Sequence, residues 1–182
     1  MNWFDISLFK FFNGFAGLSL VLDQTIIFFA DYLAYILIAF FVVLIFKKST
    51  LIEKLKLGLT GVVSAILSLL IIVPGIRFLY NHPRPFLEIL GAQKLFNESG
   101  YSFPSAHATF FFALSIIVYK ENKTSGIVFL ILSSIMGMAR VAAGVHYPFD
   151  ILGGAIMGII IGLASIETIK NLLRKKEQTF KN

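Results

Sequence analysis

The chain has 182 residues, 57% of them hydrophobic, with 20 Phe, no Cys, a mean hydropathy of +0.83 and a formal net charge of +6. So apolar a composition excludes an ordinary soluble domain, and apolar runs of about 18 residues or more mean membrane spans. The lack of cysteine excludes a disulfide framework and thiolate metal sites, and the positive charges lie beside apolar runs, as membrane topology requires, which sets aside a nucleic-acid partner.

At the N-terminus no basic region precedes a short apolar run and a small-residue cleavage site, so no removable signal peptide is expected. From Asn2 to Leu22, Phe4, Leu8, Phe11, Phe12 and Phe15 recur at helical spacing, with Asn2, Asp5, Lys10 and Asn13 roughly opposite. The pattern predicts an interfacial helix with Trp3 at headgroup level. The first span is Thr25 to Phe46, closed by Lys47 and Lys48. Asp31 lies about 9 Å into it at ~1.5 Å per residue, where it either pairs with a cation or sits as a headgroup-level carboxylate.

A second span runs from Leu57 to Val73, with Pro74-Gly75 marking its end or a kink. The polar stretch Arg77 to Phe103 follows, and Pro83 and Pro85 exclude a regular helix there. The third apolar run, Ser105 to Tyr119, reaches only about 22 Å as a helix against a hydrocarbon core of ~30 Å. Its start must lie below the membrane surface, or the adjoining loop must dip in. Gly126 to Ala143 and Phe149 to Ile169 are the fourth and fifth spans, the last begun by Pro148 at a favourable first-turn position. The basic tail from Lys170 to Asn182 is expected to fray. The whole predicts one all-α domain over residues 1–182: a polytopic transmembrane bundle of about five spans plus the interfacial helix, six helices in all.

Five spans place Lys10, Arg77, Arg84, Lys94 and Arg140 on one side and the other eleven of the 16 cations opposite. By the positive-inside rule the eleven-cation side is cytoplasmic, so the five-cation side faces out of a cell membrane. All three histidines, His82, His107 and His146, fall on that outer side.

Converging guanidinium groups of Arg77, Arg84 and Arg140 would bind a multiply charged oxyanion such as phosphate, with backbone N–H groups after Ser105 as further donors. Taken singly, each arginine is equally explained as a headgroup anchor. His146 and Asp150 are four apart at the start of span five, so the carboxylate can fix the imidazole's tautomer. An imidazole so held can attack phosphorus, and His107 can protonate the leaving oxygen and then activate water. His82 has no evident partner and is read as a polar anchor. No His-x-x-x-His pair or carboxylate cluster suggests a metal, and no cofactor is implied.

In order and spacing these residues resemble the type-2 phosphatidic acid phosphatase superfamily, whose motifs are Lys-x6-Arg-Pro, Pro-Ser-Gly-His and Ser-Arg-x5-His-x3-Asp. Here they read Arg77-x6-Arg84-Pro85, Pro104-Ser105-Ala106-His107 and Ala139-Arg140-x5-His146-x3-Asp150. Arg77 keeps the charge of the family's lysine. Ala106 keeps a backbone donor but not glycine's freedom at positive φ, and Ala139 loses a hydroxyl.

The resemblance implies His146 as nucleophile, Asp150 as its orienting partner, His107 as general acid and base, and Arg77, Arg84, Ser105, the Ala106 N–H and Arg140 as phosphate ligands. It implies a site open toward lipid, a lipid phosphate or diphosphate substrate, and neither metal nor cofactor. Small size, the Phe-rich N-terminal helix and the outward site look like the short bacterial undecaprenyl diphosphate phosphatases. A phosphatidylglycerophosphate or phosphatidic acid phosphatase, or a lipid phosphotransferase, would use the same residues. A small transporter or channel would also be a polytopic bundle but would tolerate His146→Ala. The oligomeric state is not encoded in these motifs.

Overall fold

The computed structural model describes residues 3–179, and the described residues form seven helices and no strand. They are α1 (Trp3–Asn13), α2 (Leu20–Phe46), α3 (Leu51–Leu79), α4 (Pro85–Glu88), α5 (Ala106–Glu121), α6 (Lys123–Ala142) and α7 (Pro148–Thr179). Helices α2, α3, α6 and α7 are each long and apolar enough to cross a membrane. Helix α5 has 16 residues and is packed among the others, with Phe111, Leu114, Ile117 and Val118 at 3% exposure or less. The seventh helix, absent from the expectation of six, is the single turn α4, which starts at Pro85 where a missing N–H costs nothing.

Local chemistry explains the boundaries. Ser19 and Asn122 accept from backbone N–H groups in the first turns of α2 and α6, and Thr50 forms a reciprocal capping box with Glu53 at α3. Helix α3 does not stop at Pro74. A π-helical segment, Ile66–Ile72, precedes that proline and re-sets the hydrogen-bond ladder, so the helix runs on to Leu79. Helix α2 starts five residues before the expected Thr25 and contains a second π segment, Phe28–Tyr32.

At the N-terminus the expected helix over Asn2 to Leu22 is shorter. It ends at Asn13, and Gly17 turns the chain at φ +81° before Ser19 caps α2. Trp3 is exposed, but Asp5 and Asn13 are buried and not on a solvated face. Asp5 Oδ1 accepts the Phe149 N–H at 3.0 Å, which ties α1 to the start of α7. The expected fraying from Lys170 is also corrected: α7 is helical to Thr179, while residues 1–2 and 180–182, including Asn2 and Lys181, lie outside the described residues.

The central contact is between α5 and α7. Gly154, Gly158 and Gly162 place their Cα atoms against the α5 backbone, and a Cβ on Gly158 would stand 2.3 Å from Thr109 O. Small residues at every fourth position let the two backbones close up. The Ser105 N–H reaches the Asp150 carbonyl at 3.1 Å, so the N-terminal ends of both helices meet at one end of the bundle. At the opposite end Lys48 pairs with Glu121.

Candidate active site

Five chain segments meet at the end of the bundle where α5 and α7 begin. Arg77 comes from the last turn of α3, Ser105, Ala106 and His107 from the start of α5, Arg140 from the last turn of α6, His146 from the loop just before α7 and Asp150 from the first turn of α7. Arg84 comes from the loop before α4. Arg84, Ser105, Arg140, His146 and Asp150 are each at most 1% exposed. Arg140, His146, Arg77 and Arg84 are all electrostatic neighbours of His107. The three sequence motifs thus converge on one place.

His146 is fixed by Asp150. Oδ2 of Asp150 accepts the Tyr147 N–H at 2.8 Å and lies 3.4 Å from His146 Nδ1. A carboxylate can only accept, so Nδ1 carries the hydrogen and Nε2 keeps its lone pair. Burial, followed by the repulsion of Arg140 and Arg84, outweighs the Asp150 contact and lowers the His146 pKa from 6.5 to about 4, so the imidazole is neutral at physiological pH.

Ser105 is the N-cap of α5. Its Oγ accepts the Ala108 N–H at 3.4 Å, and its carbonyl accepts both the N–H and the hydroxyl of Thr109. The N–H groups of Ala106 and His107 precede any intrahelical partner and find no other among the described residues. The backbone donor assigned to Ala106 is therefore free for an anion, and Ala106 needs no positive φ: among the described residues only glycines have one. The Ser105 side chain is committed mainly to the helix.

The arginines differ in what binds them. Arg84 donates to the carbonyls of Gly100, Val145 and Ser99 at 2.8–3.0 Å and to Glu98 Oε1 at 3.3 Å, which fixes its guanidinium rigidly. Burial and its arginine neighbours lower its pKa to about 10, which still leaves it charged. Arg140 Nη1 donates to Ala30 O at 3.1 Å in the widened π turn of α2, and its guanidinium lies 5.6 Å from the Phe96 ring. Its Nη2 stands 3.0 Å from Glu98 Oε2, an ion pair without hydrogen-bond alignment, and its Nε has no partner. Arg77 Nη2 donates to Pro104 O at 3.0 Å, while its buried Nε has no partner.

Glu98 was not singled out by sequence. It lies in a polar loop outside every motif, yet its carboxylate bridges Arg84 and Arg140. A carboxylate held between two guanidiniums stands where a phosphate would bind. His82 also departs from expectation: it is not an unpartnered anchor, because its Nδ1 lies 2.7 Å from Ser102 Oγ and 3.6 Å from Asp150 Oδ1.

A cavity of about 240 Å³ leads to His107 between α2 and α3, walled by Ala34, Ile38, Leu69, Phe110 and Phe111 with Asp31 and Tyr35. Its apolar walls suit an acyl or prenyl chain. Asp31 is half-buried beside this cavity and is an electrostatic neighbour of Arg140, but makes no ion pair among the described residues. No group of three His, Asp or Glu side chains is arranged as a metal site among them either.

Comparison with known proteins agrees with this geometry. Residues 58–174 match the model of the PAP2 superfamily. The chain is 31% identical over 157 residues to undecaprenyl-diphosphatase BcrC of Bacillus subtilis (strain 168), covering 85% of this chain and 79% of that protein. It is 29% identical over 160 residues to bacitracin transport permease protein BcrC of Bacillus licheniformis, covering 87% of this chain and 77% of the relative. Among solved structures, the crystal structure of Aquifex aeolicus LpxE superposes with a TM-score of 0.76 at 25% identity, covering 91% of this chain and 96% of that one.

Proposed function

This chain belongs to the PAP2 superfamily and is a membrane lipid phosphatase, and on that premise we propose that it hydrolyses undecaprenyl diphosphate to undecaprenyl phosphate and inorganic phosphate. The observation that carries the reading is the Glu98 carboxylate held between Arg84 and Arg140, the two guanidiniums that are electrostatic neighbours of both His146 and His107. An anion belongs there, and a phosphoryl group bound in its place meets both imidazoles.

The terminal phosphate displaces Glu98 and takes its donors from Arg77, Arg84, Arg140 and the Ala106 N–H, with Ser105 holding the start of α5. His146 Nε2 attacks the terminal phosphorus. As the N–P bond forms, the P–O bond to the lipid phosphate breaks, and His107 gives its proton to the leaving oxygen. Asp150 balances the positive charge on the phosphorylated imidazole. A water molecule then attacks the phosphohistidine and passes its proton to His107, which releases inorganic phosphate and restores both imidazoles. The guanidiniums stabilise charge on the transferring oxygens in both steps, so no metal ion is required. The prenyl chain lies in the apolar cavity beside His107, reached sideways from the bilayer.

The cation distribution supports an outward-facing site in a cell membrane, where a carrier lipid would return as the diphosphate. The test is phosphate release by purified protein in detergent with excess EDTA, from undecaprenyl diphosphate, phosphatidylglycerophosphate and phosphatidic acid side by side. Preference for the diphosphate, lost in His146→Ala, is expected. Preference for a monophosphate would move the substrate to the glycerophospholipids, and release that persists in His146→Ala would overturn the mechanism.

A further inference from the structure

His82 is the one imidazole that the reaction above does not use, and it is held too firmly for a surface anchor. Its side chain is 18% exposed and clamped between two rings, stacked on Tyr80 with centroids 5.4 Å apart and tilted against Tyr147 at 5.1 Å. The Ser102 N–H donates to its carbonyl at 2.8 Å. Ser102 Oγ has a single proton, which it directs at the carbonyls of Pro83 and His82, 3.0 and 3.2 Å away. At 2.7 Å from the imidazole that oxygen must then accept, so Nδ1 of His82 carries a hydrogen. The same Nδ1 faces Asp150 Oδ1 at 3.6 Å, while Asp150 Oδ2 faces His146 Nδ1 at 3.4 Å. One buried carboxylate is shared by two imidazoles.

We propose that His82 is a positioning residue for the hydrolysis, orienting Asp150 by its second oxygen and governing, by its own charge, how much of that carboxylate serves His146. This rests on His146 being the nucleophile. With His82 neutral, Asp150 is free to balance the cationic phosphohistidine. Once protonated, His82 competes for the same negative charge, His146 becomes less basic, and its phosphorylated form loses part of its counter-charge. Asp150 on α7 faces His82, as do Glu88 on α4, Asp5 on α1, and the rings of Tyr80 and Tyr147. The Asp150 contact, more than the other two acids and against the opposing effect of burial, raises the His82 pKa above its ordinary 6.5.

The test is the pH profile of kcat/KM for the wild type, His82→Asn and His146→Ala. Asparagine keeps a donor for Ser102 and Asp150 but does not titrate. The wild type should lose activity on the acid side with a midpoint above 6.5, and His82→Asn should move that limb down by about one pH unit or more, where one unit is a tenfold change in the protonation constant. An acid limb in His82→Asn that coincides with the wild type overturns the proposal. Activity surviving in His146→Ala overturns the nucleophile assignment instead. Should His82→Asn not fold, the chain's three histidines can be labelled with ¹³C and titrated by NMR in micelles, with Asp150→Asn for comparison. A His82 midpoint that falls in Asp150→Asn supports the shared carboxylate, and one that stays put overturns it.

Discussion

An imidazole that attacks phosphorus must present an uncharged nitrogen, and burial arranges this at His146. Its pKa of about 4 in the folded protein, against 6.5 for a free imidazole, means that the unfolded chain binds this proton first as pH falls. Stability attributable to His146 should therefore be lost progressively from about pH 6.5 down to about pH 4 and not change further below. Thermal unfolding in detergent across that range should show a steeper acid loss in the wild type than in His146→Gln, and parallel curves would contradict the assignment. Glu98→Gln should bind inorganic phosphate more tightly, because the phosphate no longer displaces a charged rival; with the carboxylate 28% exposed, the gain is about tenfold or less. Weaker inhibition of turnover by phosphate in that variant would count against Glu98 occupying the phosphate pocket. His107, His146, Asp150 and the three arginines are legible in the sequence because ionisable groups at the ends of apolar runs stand out and recur at motif spacing. Glu98 and His82 are not, since their partners, Arg140 and Asp150, lie on distant segments that only the fold brings together.

At the level of helices, the site is assembled by the close contact of α5 with α7. Gly158→Leu would drive a side chain into the Thr109 carbonyl, forcing the two helices apart and moving Asp150 and His146 away from Ser105 and His107. That substitution should cost about 2 kcal/mol or more of stability, as overpacking typically does, and lose activity with it. Gly75→Ala, where nothing lies within 4 Å, should be tolerated. Unfolding curves and phosphate release from the two variants check both statements. Spans were readable from runs of apolar residues, and the start of α7 from Pro148. The π segments in α2 and α3 were not, because a widened turn has no composition of its own, and neither was the continuation past Pro74 that depends on one of them. Asp5 was misplaced because helical periodicity ranks it as polar, whereas the backbone N–H of Phe149 makes burial of its carboxylate favourable.

Over the whole molecule, one end of the bundle carries the histidines proposed to react and the other most of the cations. Lacking cysteine, the chain accepts single probes: Lys94→Cys should react with an impermeant maleimide in intact cells, and Lys123→Cys only after the membrane is broken. The reverse pattern would place the site on the cytoplasmic face. The claim on which all else depends is a covalent phosphohistidine at His146. Rapid quenching of the enzyme during turnover of a diphosphate labelled in its terminal phosphate, followed by peptide mapping under alkaline conditions, tests it most directly. The label should sit on the peptide bearing His146, be lost in acid, and vanish in His146→Ala. Phosphate released at the full rate from a protein that never carries label at that histidine would contradict the account.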